Sequence, residues 1–404
     1  MFVEKILNEK DLNLINSYPN NLPDIDYKGF ADALNTLRKE INKNLSEDDL
    51  KHLQKIEGWG KLCTLLGYST SWLIPNPVSA FLMSQGNLTR WAMITHHVSH
   101  KGYDKVPNIP EKYKSKNYAV GYRRYIDWLD WMHPEAWDYE HNFLHHYHTG
   151  EIYDPDLVEK SMHYVRELNL SIPVKYALIG FFMTTWKLSY YAPNTLAILK
   201  DSKNQKQGKK RELLENVKDG MYPGMRMFIP FTKDWFDFIT KCVLPYSIVK
   251  FVLIPLLFLP LGFQASLFVL INSILAEIIT NIHSFLIIVP NHAGDDLYRF
   301  DRPVSDQAEF YVRQVTGSVN FKCGNDVLDF FQGWLNYQIE HHLFPDIPML
   351  KYQQIQPKVK EICEKFGVPY VQENVFTRFG KLVDIITGQG TMKKTSTLHK
   401  MFRK

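Results

Sequence analysis

Two long apolar segments lie next to each other beyond the middle of the chain, and they restrict its fold more than any other feature. Residues 235–263 and 265–289 are predominantly apolar, and residues 260–264 carry the proline and glycine of a short turn. Each segment exceeds the roughly 20 residues that a membrane-spanning helix needs. The sequence therefore predicts a transmembrane hairpin of two helices.

A second, shorter hairpin is predicted at residues 59–95. Residues 59–73 and 78–94 are both apolar, and Pro75, Asn76 and Pro77 separate them. Neither arm reaches the length of a full span. A tight helical hairpin inserted partway into the membrane fits this pattern, and a pair of buried soluble helices is the alternative. Residues 1–58 show helical spacing of apolar residues and no signal peptide, which predicts a soluble helical segment.

Three histidine clusters occupy the polar stretches around these segments, namely His96-His97-x-x-His100, His141-x-x-x-His145-His146 and Gln338-x-x-His341-His342. If residues 327–345 form one helix, the members of the third cluster share one of its faces. In the second cluster, His141 and His145 share a face and His146 is rotated by about 100°. That offset would let one helix provide ligands to two neighbouring metal ions.

Together with His292, the clusters supply eight candidate ligands: His96, His100, His141, His145, His146, His292, His341 and His342. His97 and Gln338 are reserve candidates. Eight imidazoles exceed the three or so protein ligands of a catalytic zinc and suit two ions with four nitrogens each. Imidazole also binds iron, copper and nickel. Beside apolar helices the expected substrate is a lipid chain, and oxidation of its C–H bonds needs a redox metal and dioxygen, which favours iron.

Charge predicts the side of the membrane on which the histidines lie. The turns at residues 75–77 and 260–264 contain no lysine or arginine, whereas the histidine-bearing stretches are rich in both. The positive-inside rule then places all three clusters on the cytoplasmic side. Residues 172–199 must accordingly lie in the membrane interface, as Lys175 and Lys187 suggest. If these residues cross the membrane instead, the clusters cannot form one site.

The clusters, their order and the hairpins resemble the membrane-bound fatty acid desaturases over about residues 90–350. The sequence from Gln338 to Pro345 is similar to the third histidine box of the front-end subgroup, in which glutamine replaces the first histidine. Asn291 and His292 resemble an asparagine–histidine element that precedes that box. The resemblance implies a non-haem di-iron centre held by the eight histidines, and it implies that O2 and two electrons are consumed for each cis double bond.

Three features differ from the front-end pattern. His97 stands where an acid usually follows the first histidine, and three residues rather than two separate His141 from His145. No His-Pro-Gly-Gly motif of a fused cytochrome b5 domain is present, which implies a separate electron donor of the ferredoxin or cytochrome b5 type. The first two differences weaken the prediction of double-bond position that the glutamine implies.

The sequence thus predicts an all-α integral membrane protein with two transmembrane hairpins and a cytoplasmic helical cap that carries the histidine boxes. The membrane would be a bacterial inner membrane or the endoplasmic reticulum. The predicted division is an N-terminal segment at residues 1–58, a fatty acid desaturase domain at 59–350 and a C-terminal helical segment with a basic tail at 351–404.

The predicted function is acyl desaturation, and two other classes of function remain open. A lipid hydroxylase or ketolase acting on an alkane, sterol, sphingoid or carotenoid could use the same histidines. A zinc-dependent hydrolase or a non-catalytic metal-binding membrane protein is the other alternative. The net charge of +4 gives no reason to expect nucleic acid. The four isolated cysteines indicate neither a disulfide framework nor a zinc ribbon.

Overall fold

The fold was analysed in a computed structural model that describes residues 22–206 and 223–395. Most of these residues are helical, as predicted. The α-helices are Tyr27–Lys43, Glu47–Ser71, Pro77–Leu88, His96–Ser99, Arg124–Asp127, Pro134–Trp137, His146–His148, Val158–Ser161, His163–Glu167, Ile172–Trp186, Ala192–Lys206, Lys233–Phe238, Leu244–Ile248, Ile254–Leu256, Phe263–Ile288, Gln307–Thr316, Asp326–Phe331, Gln338–Leu343, Met349–Phe366 and Val375–Thr387.

Several of these helices are joined end to end by π-helical turns, at Thr89–Thr95, Asp138–His145, Lys187–Tyr191, Ile239–Val243 and Val249–Leu253. Short 3-10 helices lie at Glu111–Tyr113, Gly121–Arg123, Pro223–Phe228, Leu259–Leu261, Val289–His292 and Leu335–Tyr337. A parallel ribbon of two strands, Tyr298–Phe300 and Lys393–Thr395, was not predicted. It is a small addition to an otherwise helical fold.

The two long apolar helices are present where the sequence predicts them. Among the described residues, Lys233–Leu261 and Phe263–His292 are the two helices long and apolar enough to cross a membrane. Gly262 separates them with a φ of 109°, a conformation that glycine adopts without a steric penalty. The side chains of the second helix that face inward include Glu277 and Asn281.

The N-terminal region is built from capped helices that run into the predicted short hairpin. Ser46 and Asp49 form a capping box at the start of Glu47–Ser71. This helix continues through residue 58, so the predicted N-terminal segment and the first hairpin arm share one helix. Asn76 caps the second arm, which runs as one helical rod over residues 77–99. The division of the chain into domains stays a prediction.

Residues 172–206 form one helical rod interrupted by a π-helical turn. The ammonium group of Lys175 donates to the backbone carbonyls of Arg166 (2.8 Å) and Thr387 (3.0 Å). The ammonium group of Lys187 pairs with the Asp130 carboxylate at 2.7 Å. Both lysines are therefore internal and give no support to an interfacial position. The sequence at residues 200–218 is basic and hydrophilic, which is typical of a loop, but the chain is helical as far as Lys206. Residues 207–222 lie outside the described part of the chain.

The apolar run before Pro345 is not one helix, so that expectation is wrong. Gly333 and Trp334 have φ values of 66° and 58°, and the left-handed backbone at these residues ends the first helix. The Asp329 carboxylate then accepts hydrogen bonds from the Asn336 amide (2.7 Å) and the Tyr337 hydroxyl (2.8 Å). These contacts fix the reversal of the chain and give the third histidine cluster a short helix of its own.

The predicted C-terminal helical segment lies against the rest of the fold. Met349–Phe366 packs on the helix Gln338–Leu343, and Val375–Thr387 packs on Val289–His292. Residues 396–404 of the predicted basic tail lie outside the described residues. Both C-terminal helices therefore support elements that carry candidate ligands.

Candidate metal centre

All eight predicted histidines converge in the interior, where they form two adjoining groups, and a third set of His141, His145 and Asp156 overlaps both groups. The five-histidine group consists of His96, His100, His141, His146 and His341. The three-histidine group consists of His145, His292 and His342. Within each group, the nitrogens that face one another lie within 4.8 Å. The two groups thus contain five and three imidazoles. The expected division of the ligands, with four nitrogens for each of two ions, stays a prediction.

The five-histidine and three-histidine groups are in direct contact. The rings of His146 and His342 stack with their centroids 4.3 Å apart, although they belong to different groups. In the five-histidine group, the Nε2 atoms of His96 and His141 are 3.0 Å apart. In the three-histidine group, the ring of His292 lies 4.7 Å from that of His145 and 4.6 Å from that of His342. Two ions held by these groups would therefore be close neighbours.

Local helix geometry explains the division at the second cluster. The turn Asp138–His145 is π-helical, and the backbone N–H of His146 donates to the carbonyl of His141, five residues earlier. His141 and His146 consequently point the same way, and His145 points into the other group. The ring of His141 still stacks on that of His145 at 5.3 Å, as the α-helical spacing predicts, so His141 contacts both of its neighbours in this cluster.

The third cluster also divides between the groups. Gln338 and His342 are four residues apart on the helix Gln338–Leu343 and lie on one face. That face meets the three-histidine group, because the Gln338 amide nitrogen is 2.8 Å from Nε2 of His292. His341 points to the five-histidine group, where its ring lies 4.5 Å from that of His96.

Four of the eight candidate ligands, His145, His292, His341 and His342, are oriented by a contact at Nδ1. Nδ1 of His145 lies 2.9 Å from a carboxylate oxygen of Asp154, and Nδ1 of His342 lies 2.8 Å from the Gln314 amide oxygen. Tyr352 contacts Nδ1 of His341 at 3.2 Å. Such outer contacts fix the direction in which Nε2 points.

Four carboxylates lie next to candidate ligands in the sequence, namely Glu140, Asp295, Asp296 and Glu340. Such positions suit outer partners of metal-bound imidazoles as well as plain solvated carboxylates, and within the described residues none of the four is bonded to a candidate ligand ring. The Asp296 carboxylate binds the buried guanidinium of Arg378, and Glu340 accepts from Asn320 and Tyr370. Glu140 is fully buried with no hydrogen-bond partner. Burial and the nearby carboxylates of Asp156 and Asp154 raise the pKa of Glu140 well above its usual value.

The reserve candidates lie beside the groups rather than within them. Nδ1 of His97 is 2.6 Å from the Met93 carbonyl, and its ring is 5.8 Å from that of His341. Asn291 donates to the backbone carbonyl of Leu335 at 2.9 Å. Nδ1 of His148 lies 2.9 Å from the Glu151 carboxylate, and Nε2 of His283 lies 2.8 Å from the Phe331 carbonyl, so both rings contact groups outside the two histidine groups.

The imidazoles are held in the neutral form that binds metal ions. Burial, reinforced by neighbouring imidazoles, lowers the pKa of His100, His141, His146 and His341 well below the usual value. A neutral imidazole offers a lone pair at physiological pH. His145 differs: burial acts to lower its pKa, but the Asp154 carboxylate outweighs this effect and raises it.

The unpaired nitrogens of these rings fit bound cations. Within the described residues, Nε2 of His100, His341 and His342 and both ring nitrogens of His146 are buried without a hydrogen-bond partner. A buried polar atom without a partner is unusual and costly. Coordination to metal ions would satisfy one nitrogen of each ring, and the nitrogen-only donor sets suit iron or zinc rather than magnesium or calcium.

An apolar cavity opens onto both groups. Its volume, counted with its opening, is about 890 Å³. Aromatic side chains including Trp91, Trp137 and Trp186 line it, and His96, His141, His145 and His292 form its polar end. Asp156 also faces the cavity. A pocket of this size with few polar groups suits the apolar chain of a lipid.

The profile of the fatty acid desaturase family matches residues 70–374, which include all the candidate ligands and make up most of the chain. The chain belongs to the fatty acid desaturase family. It is thus an oxidoreductase that desaturates acyl chains, and the resemblance seen in the histidine clusters is confirmed.

Named relatives of the desaturase are themselves desaturases. It is 24% identical over 381 residues to the NADPH-dependent stearoyl-CoA 9-desaturase of Mycobacterium tuberculosis, covering 89% of this chain and 79% of the relative. It is 42% identical over 74 residues to the sn-1 linoleoyl-lipid 6-desaturase of Arthrospira platensis, covering 18% and 20% of the two chains. It is also 35% identical over 80 residues to Delta(8)-fatty-acid desaturase 1 of Arabidopsis thaliana, covering 20% and 17%. No solved structure matches the chain significantly.

Proposed function

We propose that the desaturase introduces a cis double bond into a fatty acyl chain, using O2 and two electrons from a separate donor at two non-haem iron ions. The observation that carries this proposal is the placement of two adjoining groups of buried histidines, members of both of which line one apolar cavity. Iron held there would supply the redox chemistry that breaks unactivated C–H bonds with dioxygen.

The ligand assignment follows the two groups. We assign His96, His100, His141, His146 and His341 to one iron, and His145, His292 and His342 to the other. Gln338 would complete the second set from beside His292, through its amide or a bound water. Asp154 and Gln314 would keep the rings of His145 and His342 aimed at the metal, because each accepts from or contacts Nδ1.

The cavity would bind and orient the substrate. Its aromatic walls exclude water from the reacting carbons, which protects the oxidising chemistry from side reactions. Trp137 and Tyr191 are joined by a hydrogen bond of 3.1 Å between the indole nitrogen and the hydroxyl, so this part of the wall is fixed. A fixed wall would present the same pair of neighbouring carbons to the metal site in each turnover.

The electron balance is complete with an external donor. Formation of the double bond removes two hydrogens with two electrons from the acyl chain, and the donor supplies two more. Four electrons and four protons reduce O2 to two molecules of water. A ferredoxin or a cytochrome b5 carries one electron at a time, so such a donor would act twice per double bond.

We also propose that the protein is integral to a membrane, with the histidines at the cytoplasmic surface. Lys233–Leu261 and Phe263–His292 would cross as a hairpin, and His292 at the end of the second helix would return to the side on which Lys233 starts the first. The short hairpin at residues 59–95 would insert beside it, since Leu62, Leu65 and Leu66 are exposed.

The experiment is lipid analysis after expression in a host that lacks the activity, with acyl chains of known length supplied both as CoA thioesters and in glycerolipid. New double bonds are expected, and new hydroxyl or keto groups would instead support a hydroxylase or ketolase. The purified protein should contain two irons per chain. Two zinc ions together with no O2 consumption would overturn the proposal.

A further inference from the structure

An exposed apolar patch lies outside both long apolar helices. Its members are Val120, Tyr122, Tyr125 and Ile126, and more than half of each side chain is exposed. We call these side chains the 120–126 patch. An exposed cluster of large apolar side chains in a polar part of the chain marks a surface that contacts another apolar phase.

Two contacts tie the patch to the ends of apolar helices. The buried guanidinium of Arg124 donates to the backbone carbonyl of Lys241, within the long helix Lys233–Leu261. On the other side, the hydroxyl of Tyr118 lies 3.1 Å from the Thr95 hydroxyl and donates to the Asp127 carbonyl. Thr95 ends the π-helical turn that continues the short hairpin. The patch therefore bridges the two apolar hairpins.

The contact with Lys241 sets the level of the patch along the long helix. Lys241 pairs with Asp237 at 3.0 Å, and both side chains are partly exposed. Beyond Lys241, the outward face of the helix is apolar, with Leu244, Ile248 and Val252 exposed. The change from charged to apolar side chains marks the boundary between the headgroups and the hydrocarbon of a bilayer. The patch lies at this boundary.

The composition of the patch fits the same boundary. Tyrosine is enriched where its ring meets lipid and its hydroxyl meets water. Arg123 pairs with Asp127 at 2.8 Å, so the charge on this segment is locally balanced. Short apolar elements with this composition lie in the plane of the interface and reach about 5–10 Å into it.

We infer that the 120–126 patch is a lipid-binding surface that lies in the headgroup region of the bilayer. The inference rests on the membrane location proposed above. Because Tyr118 contacts Thr95, the residue before His96, the patch also fixes the height of the first histidine cluster above the lipid. An acyl chain that leaves the bilayer would then meet the cavity at a constant depth.

The test is photo-crosslinking in the full-length desaturase reconstituted in phosphatidylcholine vesicles. Benzoylphenylalanine replaces Tyr122 in one variant and Ile126 in a second. Two controls carry the same group at Leu253, half exposed in the long helix, and at Lys39, exposed on the N-terminal helix Tyr27–Lys43. After illumination, the mass of each variant shows whether a phospholipid or a second protein chain has been attached.

We expect phospholipid adducts at Tyr122, Ile126 and Leu253 and none above background at Lys39. Adducts at Leu253 but not at the patch would overturn the inference and leave the membrane location standing. Attachment of a second protein chain at the patch would show that the surface binds another copy and would also overturn it. Absence of lipid adducts at all positions would overturn the membrane location itself. Equal labelling at Lys39 would show that the patch has no special affinity for lipid.

Discussion

Replacement of Asp154 by asparagine should weaken metal binding in the three-histidine group and spare the five-histidine group. One carboxylate oxygen of Asp154 lies 2.9 Å from Nδ1 of His145, and both side chains are buried. The backbone N–H groups of Gly150 and Asp156 also donate to this carboxylate at 2.9 Å each. Asparagine keeps the shape of the side chain but removes the charge that polarises the imidazole.

The size of the effect follows from the position of Asp154 behind one ligand. Loss of such an outer contact lowers metal affinity by about 10- to 100-fold, or about 1.4 to 2.7 kcal/mol. The assay is iron per chain after dialysis against a graded series of chelator concentrations. We expect one iron to leave Asp154→Asn at a chelator concentration about 10- to 100-fold lower than in the wild type. The other iron should leave at the same chelator concentration in both proteins.

Asp156→Asn is the matched control. Asp156 lies two residues further along the same loop, but its carboxylate is 3.9 Å from Nδ1 of His145, beyond hydrogen-bond distance. Its substitution should shift the chelator curve much less. Identical iron release from Asp154→Asn and the wild type, or an equal shift in both variants, would refute the reasoning that the Asp154 contact orients His145.

Further predictions concern the ligands, their support and the cavity. His341→Ala and His342→Ala should each abolish product formation and lower bound iron, and full activity in either variant would remove that residue from the ligand set. Tyr370→Phe removes the 2.9 Å hydrogen bond to buried Glu340 and should destabilise the fold by about 1–3 kcal/mol in thermal unfolding, whereas an unchanged transition would show that the bond is dispensable. Trp186→Ala opens the aromatic wall of the cavity and should change the distribution of product chain lengths, measured by lipid analysis. An identical distribution would mean that this wall does not limit the substrate.

The sequence was sufficient to name the histidines that converge but not to divide them between two groups. Spacing on an ideal α-helix puts His141 with His145 alone, whereas the structure also brings His141 together with His146 in the five-histidine group. The π-helical turn that causes this has no reliable residue signature, because it depends on how the helix packs. The same limit applies to the break at Gly333 and Trp334, where the left-handed backbone is fixed by contacts to Asp329.

The long apolar helices were predicted closely because their signal is local. Length and composition alone identify a candidate span, and the turn at Gly262 falls where the proline and glycine predict it. Outer contacts were missed because they join distant or oppositely directed segments. Asp154 approaches His145 only after the chain turns at Thr149 and Gly150, and Gln314 reaches His342 from a separate helix.

The π-helical turn Asp138–His145 also bears on how such histidine boxes can vary in length. A turn with hydrogen bonds five residues apart accommodates one more residue than an α-helical turn without moving the helix on either side. The extra residue between His141 and His145, relative to the usual front-end box, falls within this turn. Evolution could thus add or remove a residue here while the flanking imidazoles keep their direction. In this box, the direction of the rings therefore depends on the type of helical turn as well as on the number of residues between the histidines.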